Sequence, residues 1–337
     1  MAVFSTAADE DTRARVRGSV MLTGSLLLIL LMAAGITAGT AEVSMQEIVD
    51  IAMGAIHTEN YTIIYHLRMP RVLCGALAGA NLALAGCILQ GMLRNPLADP
   101  GIIGVTAGAG LAAMALMLVA PELTSLVPFA AFGGALAAVT AVFLLAWDHG
   151  VHPLRMILAG VALAAFFGGG QTALSVFYAE RIQGTVTWLA GGFGGAGWQH
   201  VRMILPYSLV GIFAALCSYR RLNALQLGDE VASSLGIDVQ KSRVFLIILS
   251  ALLAGSAVSV AGLLGFVGLI VPHIMRLTVG SDFEFLLPAS AIFGALLLVG
   301  ADTAARTIFN PIEVPVGIFL SFLGAPFFLY LLKRRLR

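Results

Sequence analysis

Ten apolar runs, each close to the length at which a helix crosses a bilayer, constrain this chain more than any other feature. Spanning the hydrocarbon core takes about 20 apolar residues in helical form. The runs cover residues 19–39, 68–91, 101–119, 127–147, 154–176, 201–219, 242–262, 264–280, 287–308 and 315–332. Charged residues make up only 11% of the chain, far below the ~25% of a soluble domain. The sequence therefore predicts an all-α, polytopic membrane protein with ten transmembrane helices in one domain over 1–337. The seventh and eighth runs are divided by little more than Leu263, which makes that boundary the least defined. A net charge of +1 offers no field for nucleic acid.

Arg13, Arg15 and Arg17 precede the first run, which is too long for the apolar core of a signal peptide and reads as an uncleaved first span. Place the N-terminus inside and let the runs alternate. Of the 19 Lys and Arg residues, all but Arg68, Arg71, Arg181, Arg202 and Arg306 then fall on the cytoplasmic side, as the positive-inside rule asks. Both termini are cytoplasmic on this reading, and ten spans keep the C-terminal KRRLR inside. Residues 40–67, outside, intersperse acids with apolar residues and predict a short surface helix. Residues 177–200, also outside, contain GGFGGAGW. That run cannot be regular helix, because glycine costs about 1 kcal/mol per helical position. TIFNPIEVP, with Pro311 and Pro315, reads as an outer loop.

The segment Arg68–Gly110 joins one crossing, a turn at RNPLADPG and the start of the next crossing. Asp99 is the expected N-cap and Pro100 the first residue of the third span. Ala78-Gly79 and Ala85-Gly86 in the second run recur as Ala254-Gly255 and Ala261-Gly262 in the seventh. These runs cross in opposite directions, so the echo predicts an inverted repeat of spans two to five and seven to ten. Ala-Gly pairs are common in membrane helices, and chance accounts for the pattern as readily.

No GxxxxGK[ST] and no HExxH occurs, nor any pair of carboxylates within a span, so there is no phosphate cradle and no catalytic set. Cys74, Cys87 and Cys217 all fall inside apolar runs and read as small buried hydrophobes. No Cys/His metal spacing is present. The methionines read as packing, and His273 of VPH as a satisfied core residue. Ionisable residues inside spans are costly, and Asp302 and Arg306, four apart in the ninth run, stand out. They read either as a self-neutralised pair or as a means of bringing Arg306 to the outer surface beside Arg68 and Arg71, where the charge rule predicts no basic patch.

In the inner stretch RRLNALQLGDEVASSLGIDVQKSR, Leu225–Leu227 form an apolar patch and Gly228 breaks it. Asp229 and Glu230 suit the positive end of a new helix, and Gly236 suits its C-terminal cap. Two short helices joined by glycine are predicted. An amphipathic connector is the plainer reading. A docking surface for a cytoplasmic partner accounts better for Leu225, Leu227, Val231 and Leu235, which otherwise face water.

These pieces, in this order, resemble the permease subunits of type II ABC importers for iron-siderophores, haem and vitamin B12. The resemblance runs from about Leu22 to Lys333. It rests on RMPRVLCGALAGANLALAGCILQGMLRNPLADPGIIG, RMILAGVAL (155–163), TVTWLAGG (185–192), LGDEVASSLGIDV, GLLGFVGLIVPHIMR (262–276) and VPVGIFLSFLGAPFFLYLL (314–332). It implies a lipid-embedded permease domain of ten helices in a bacterial inner membrane, working as a dimer, and a homodimer for a stand-alone chain. It also implies a cytoplasmic ATPase dimer, which binds Mg-ATP while this chain holds no cofactor, and a periplasmic or lipid-anchored substrate-binding protein. In the family, arginines of an R-x-x-R pair before span two and one late in span nine meet acids on the binding protein. Here these map to Arg68, Arg71 and Arg306. The coupling loop for the ATPase maps to Leu225 through Val239, with Leu225, Leu227, Gly228, Asp229, Glu230, Val231, Leu235 and Gly236 as its candidate residues. The loop containing His149, His152 and Pro153 falls where an inner gate sits. The resemblance implies no metal site. No haem-ligand pair is visible either, so an iron(III)-siderophore is the default cargo, with haem or vitamin B12 as the alternative. A secondary transporter needs intramembrane acids, of which the spans offer almost none beyond Asp302, and a membrane enzyme or scaffold has no residues to stand on.

Overall fold

The computed structural model describes residues 7–39, 43–53, 60–148, 150, 152–308 and 312–335. Among them the chain forms α1 (Ala7–Thr37), α2 (Met45–Ala52), α3 (Met69–Met92), α4 (Val105–Val119), α5 (Val127–Ala146), α6 (Pro153–Phe177) and α7 (Ile182–Leu189). There follow α8 (Trp198–Leu216), α9 (Tyr219–Gln226), α10 (Asp229–Ser234), α11 (Val239–Ala261), α12 (Val267–Val279), α13 (Phe283–Ile308) and α14 (Val316–Arg335). Each predicted apolar run overlaps one helix, although runs 101–119 and 264–280 extend beyond the shorter helices α4 and α12. The predicted surface helix is α2, whose Ser44 and Glu47 form a capping box. A wider π-helical stretch, Thr62–Arg68, leads into α3.

Among the described residues, seven helices are long and apolar enough to cross a membrane, while α4, α12 and Val316–Leu329 of α14 are shorter apolar helices. At 1.5 Å per residue, 13-residue α12 is only about 20 Å long. Irregular backbone precedes the two short helices α4 and α12, at residues 93–104 and 262–266. The first of these folds back into the bundle. A Cβ built on Gly268 would lie 3.0 Å from Pro100 Cδ and 3.2 Å from an Asp99 oxygen. Non-helical backbone at membrane depth survives where protein covers it, and here α12 and α6 do so.

This fold-back corrects one expectation. Asp99 does not cap α4. Its Oδ1 accepts from Gly101 N at 2.8 Å and its carbonyl from Ile102 N at 3.0 Å, closing a separate turn. Gly104, at φ +80°, then turns the chain into α4, a conformation that favours glycine.

The bundle is built around α3, which is buried along most of its length and packs on α13, α11, α12 and α8. Small residues permit the approach. A Cβ on Gly79 would overlap the Gly294 backbone, and one on Gly86 the Gly268 backbone. The repeated Ala-Gly pairs differ in their surroundings. Gly255 faces the Phe132 ring, and Gly262 lies just beyond α11 at φ +68°. Asn81 Nδ2 donates to Ser208 Oγ at 2.7 Å and Ser256 Oγ at 3.1 Å, tying α3 to α8 and α11.

Pro272 lies inside α12. It has no N–H, so the carbonyl four residues earlier, on Gly268, loses its helical donor. Gln90 of α3, only 1% exposed, donates Nε2 to that carbonyl at 3.1 Å. Cys74 and Cys87 are buried as expected, but Cys217 is exposed, because it follows the end of α8.

Candidate functional site

At the end of the bundle predicted to face outward, the structure brings Arg68, Arg71 and Arg306 together with Asp302 and Glu313. Arg71 makes a bidentate pair with Asp302, Nε to Oδ2 at 2.9 Å and Nη2 to Oδ1 at 3.0 Å. Its remaining Nη1 reaches Glu313 Oε2 at 2.8 Å. Arg306 is the lesser partner of Asp302, with Nε 4.0 Å from Oδ2. The i, i+4 pairing read from sequence is thus present but secondary to a contact from α3.

Arg68 and Arg306 have another task. The last carbonyls of a helix lack intrahelical donors, and the last turn of α1 contains no basic residue of its own. Arg68 Nη1 donates to the carbonyls of Ile36 at 3.0 Å and Thr37 at 2.7 Å. Arg306 donates from Nη1 to Ala38 O at 3.0 Å and from Nη2 to Gly35 O. Two buried guanidinium groups, one from the end of the π-helical stretch and one from α13, therefore cap the negative end of α1. The patch is real, but its charges are engaged inside the protein. Of the two carboxylates, Asp302 is 6% exposed and Glu313 58%.

Two clefts meet at this cluster. The outer one, about 430 Å³, is lined by Gly39, His66, Arg68, Arg306 and the 193–197 run. The deeper one, about 370 Å³, is lined by Met117, Thr187, Trp188, Ala261, Asp302 and Val316. Arg71, Glu313 and Phe193–Gly195 border both. The glycine run works as a joint. Gly192 N donates to Ala261 O at 2.7 Å and Gly317 N to Gly191 O at 3.0 Å. Side chains at Gly191, Gly262 or Gly317 would collide with neighbouring backbone. A further cavity of about 620 Å³ is bordered by Leu97, Asp99, Ile102, Ile157, Phe266 and Phe328 among others.

At the end predicted to face the cytoplasm the helix–glycine–helix is present. α9 ends at Gln226, Gly228 stands at φ +105° and α10 begins at Asp229. Gly236, at φ +80°, follows the C-cap residue Leu235. Leu227, Val231 and Leu235 are exposed at 62%, 43% and 62%, as the sequence indicated, but Leu225 is buried at 1%. The reason is a clamp between α9 and α13. Asn223 Nδ2 donates to Asp282 Oδ1 at 2.8 Å, and Phe283 N donates to Asn223 Oδ1 at 3.0 Å, which turns Leu225 into the core. Asp229 anchors α10 through Arg243 at 2.9 Å and Arg94 at 3.6 Å. Glu230 lies beside it in the first turn of α10. Asp238 caps α11, accepting from Lys241 N at 3.0 Å, and that bond holds its carboxyl below the ordinary range.

Beside this helix pair lies the α5–α6 connection. His149 is outside the described residues. His152 Nε2 is 3.0 Å from the Asp148 carbonyl, Arg155 pairs with Asp148 at 2.7 Å, and Pro153 opens α6. A Cβ on Gly150 would lie 2.5 Å from the Gln240 side chain, so this loop rests on the first turn of α11, just past α10. Among the described residues no group of three or more His, Cys, Asp or Glu is placed to hold a metal.

A multi-pass helical bundle with a charged cluster at one end, exposed leucines on short helices at the other and clefts between has the build of a membrane permease. The chain belongs to the FecCD transport family, which it matches over residues 26–334. It is 40% identical over 311 residues to the Fe(3+)-citrate import system permease protein YfmE of Bacillus subtilis (strain 168), covering 92% of this chain and 93% of that one. The hemin transport system permease protein HmuU of Yersinia pestis is 38% identical, covering 95% and 97%. The solved structure of a metal-chelate type ABC transporter in an inward-facing conformation superposes with a TM-score of 0.84 at 29% identity, covering 94% of this chain and 99% of that one.

Proposed function

We propose that this chain is the membrane permease subunit of an ATP-driven importer that carries a metal chelate, of the iron(III)-siderophore class, into the cytoplasm. Relatives with this architecture are named for ferric citrate, hemin and other chelates, and haem or a corrinoid is the alternative cargo. The chain works as a homodimer with ten crossings and both termini cytoplasmic, in a bacterial inner membrane. A separate ATPase dimer binds Mg-ATP and docks on α9–α10. A substrate-binding protein presents carboxylates to the Arg68, Arg71 and Arg306 end, where opposite charge registers the partner. The α5–α6 loop with His149, His152 and Pro153 acts as the inner gate.

The observation that carries this reading is the outward-facing trio Leu227, Val231 and Leu235 on a helix pair held rigidly by Asp229 and Asn223. Exposed leucines on a fixed mount suit a protein partner. The test is co-purification with the ATPase. Leu227→Asp with Leu235→Asp should abolish the complex and leave the melting temperature of the permease unchanged. An intact complex refutes the docking assignment. Cargo is decided by a ligand screen on the substrate-binding protein.

The ion-coupled alternative loses its best residue. Asp302 is held in a bidentate pair with Arg71, which leaves it no free role as a coupling acid.

A further inference from the structure

The three outer arginines differ in what an incoming carboxylate can take from them. Arg68 and Arg306 cap α1 with buried donors, and displacing them uncaps a helix. Two Arg71 nitrogens are locked onto Asp302, which is almost fully buried. One bond in the cluster joins an inside group to a mostly exposed one: Arg71 Nη1 to Glu313 Oε2, 2.8 Å. The carboxylate half of this pair is open to solvent, and replacing one carboxylate by another keeps the guanidinium satisfied.

The position of this bond gives the exchange a consequence. Arg71 and Glu313, with Phe193–Gly195, are the residues common to the outer and deeper clefts, so the pair is part of the wall between them. Glu313 lies two residues before Pro315, and the chain then enters the glycine joint, where Gly317 N donates to Gly191 O at 3.0 Å. Whatever moves Glu313 therefore pulls on Val314, Pro315 and Val316, which line the deeper cleft.

We infer that Glu313 is an internal stand-in for a partner's carboxylate, closing the outer cleft by holding Arg71 Nη1 until an acidic side chain from outside replaces it. Glu313 is thus a positioning residue of the outer gate, and its occupant is an aspartate or glutamate on a protein partner. This rests on the docking reading above for the identity of the partner, but closure by Glu313 is a property of the permease alone.

The test uses full-length permease in lipid nanodiscs. Cys217 is replaced by serine because it is exposed, while Cys74 and Cys87 are buried. A reporter, Ala261→Cys, is placed in the deeper cleft on α11, where Ala261 is 1% exposed. Labelling by a membrane-impermeant maleimide is timed with Glu313 intact, with Glu313→Gln and with Glu313→Asp. Labelling should be slow with Glu313 intact, at least fivefold faster with Glu313→Gln, and intermediate with Glu313→Asp, which keeps the charge on a shorter arm. Tetraglutamate as the probe carboxylate should speed labelling when Glu313 is intact and have no further effect on Glu313→Gln. Tetralysine should do nothing in either. Equal labelling rates with Glu313 and with Gln at that position overturn the closure. A fast Glu313→Gln variant without a tetraglutamate response in the intact protein overturns the exchange. Failure of the docking reading shows elsewhere, as undiminished binding-protein association after Arg71→Gln.

Discussion

The contact between Gln90 and α12 can be tested quantitatively, because its cause lies in a second residue. Pro272 deprives the Gly268 carbonyl of its donor, and Gln90 Nε2 supplies a replacement at 3.1 Å from a site only 1% exposed. Gln90→Leu keeps the volume close, so packing terms stay small, and strands one buried carbonyl at a cost of about 1–3 kcal/mol. Pro272→Ala restores the N–H that α12 lacks, and in that background the glutamine is redundant. Gln90→Leu should then cost less than about 0.5 kcal/mol, giving a coupling of roughly 1–2 kcal/mol between residues on different helices. The assay is reversible unfolding in mixed micelles with increasing SDS, followed by far-UV circular dichroism, for the four proteins of the cycle. An equal loss with and without Pro272 refutes the reasoning, since the carbonyl would then not be what Gln90 serves.

Two further outcomes follow from the ion pairs. Asp302→Asn should destabilise the protein by about 3 kcal/mol in the same assay, because it leaves the buried Arg71 guanidinium without its bidentate partner; unchanged stability removes that pairing. Asp229→Ala should cost about 1–3 kcal/mol, since the aspartate is 43% exposed but its partner Arg243 only 4%, and reduce coupled ATP hydrolysis severalfold in the reconstituted complex by loosening α10 from Arg243 and Arg94. Wild-type hydrolysis in that variant would detach α10 from coupling.

The helices were legible because twenty-residue apolar runs leave few alternatives, and the α9–α10 break because Gly228 and Gly236 both need positive φ. What stayed hidden was partnership over distance. Sequence offers Arg306 as the partner of Asp302 because it is four residues away, whereas the stronger partner, Arg71, is 231 positions distant. Leu225 looks exposed in a polar stretch until Asn223 is seen to clamp α9 onto Asp282. Asp99-Pro100 has the form of a helix start, and only the neighbouring Gly268 shows that the chain is still folding back at that point. Gln90 lay in plain view inside a recognised motif, and the signal that explains it is a proline in another motif.

The attachment of α1 has a bearing on how the protein is made. Much of its surface faces outward, with Leu22, Leu26, Leu27, Ile29 and Leu30 exposed. It is fastened at both ends by groups synthesised far later. Arg17 Nε donates to Val279 O at 3.0 Å across 262 positions, and Arg306 reaches Ala38 across 268. During synthesis α1 can gain Arg68 as a cap soon after it is made, but its contacts through Arg17 with Val279 and Arg306 with Ala38 wait until most of the chain has been inserted. Its docking then serves as a proofreading step in biogenesis. A chain truncated before α13 keeps the Arg68 and Arg17 contacts but lacks Arg306, so the end of its first helix is only partly clasped.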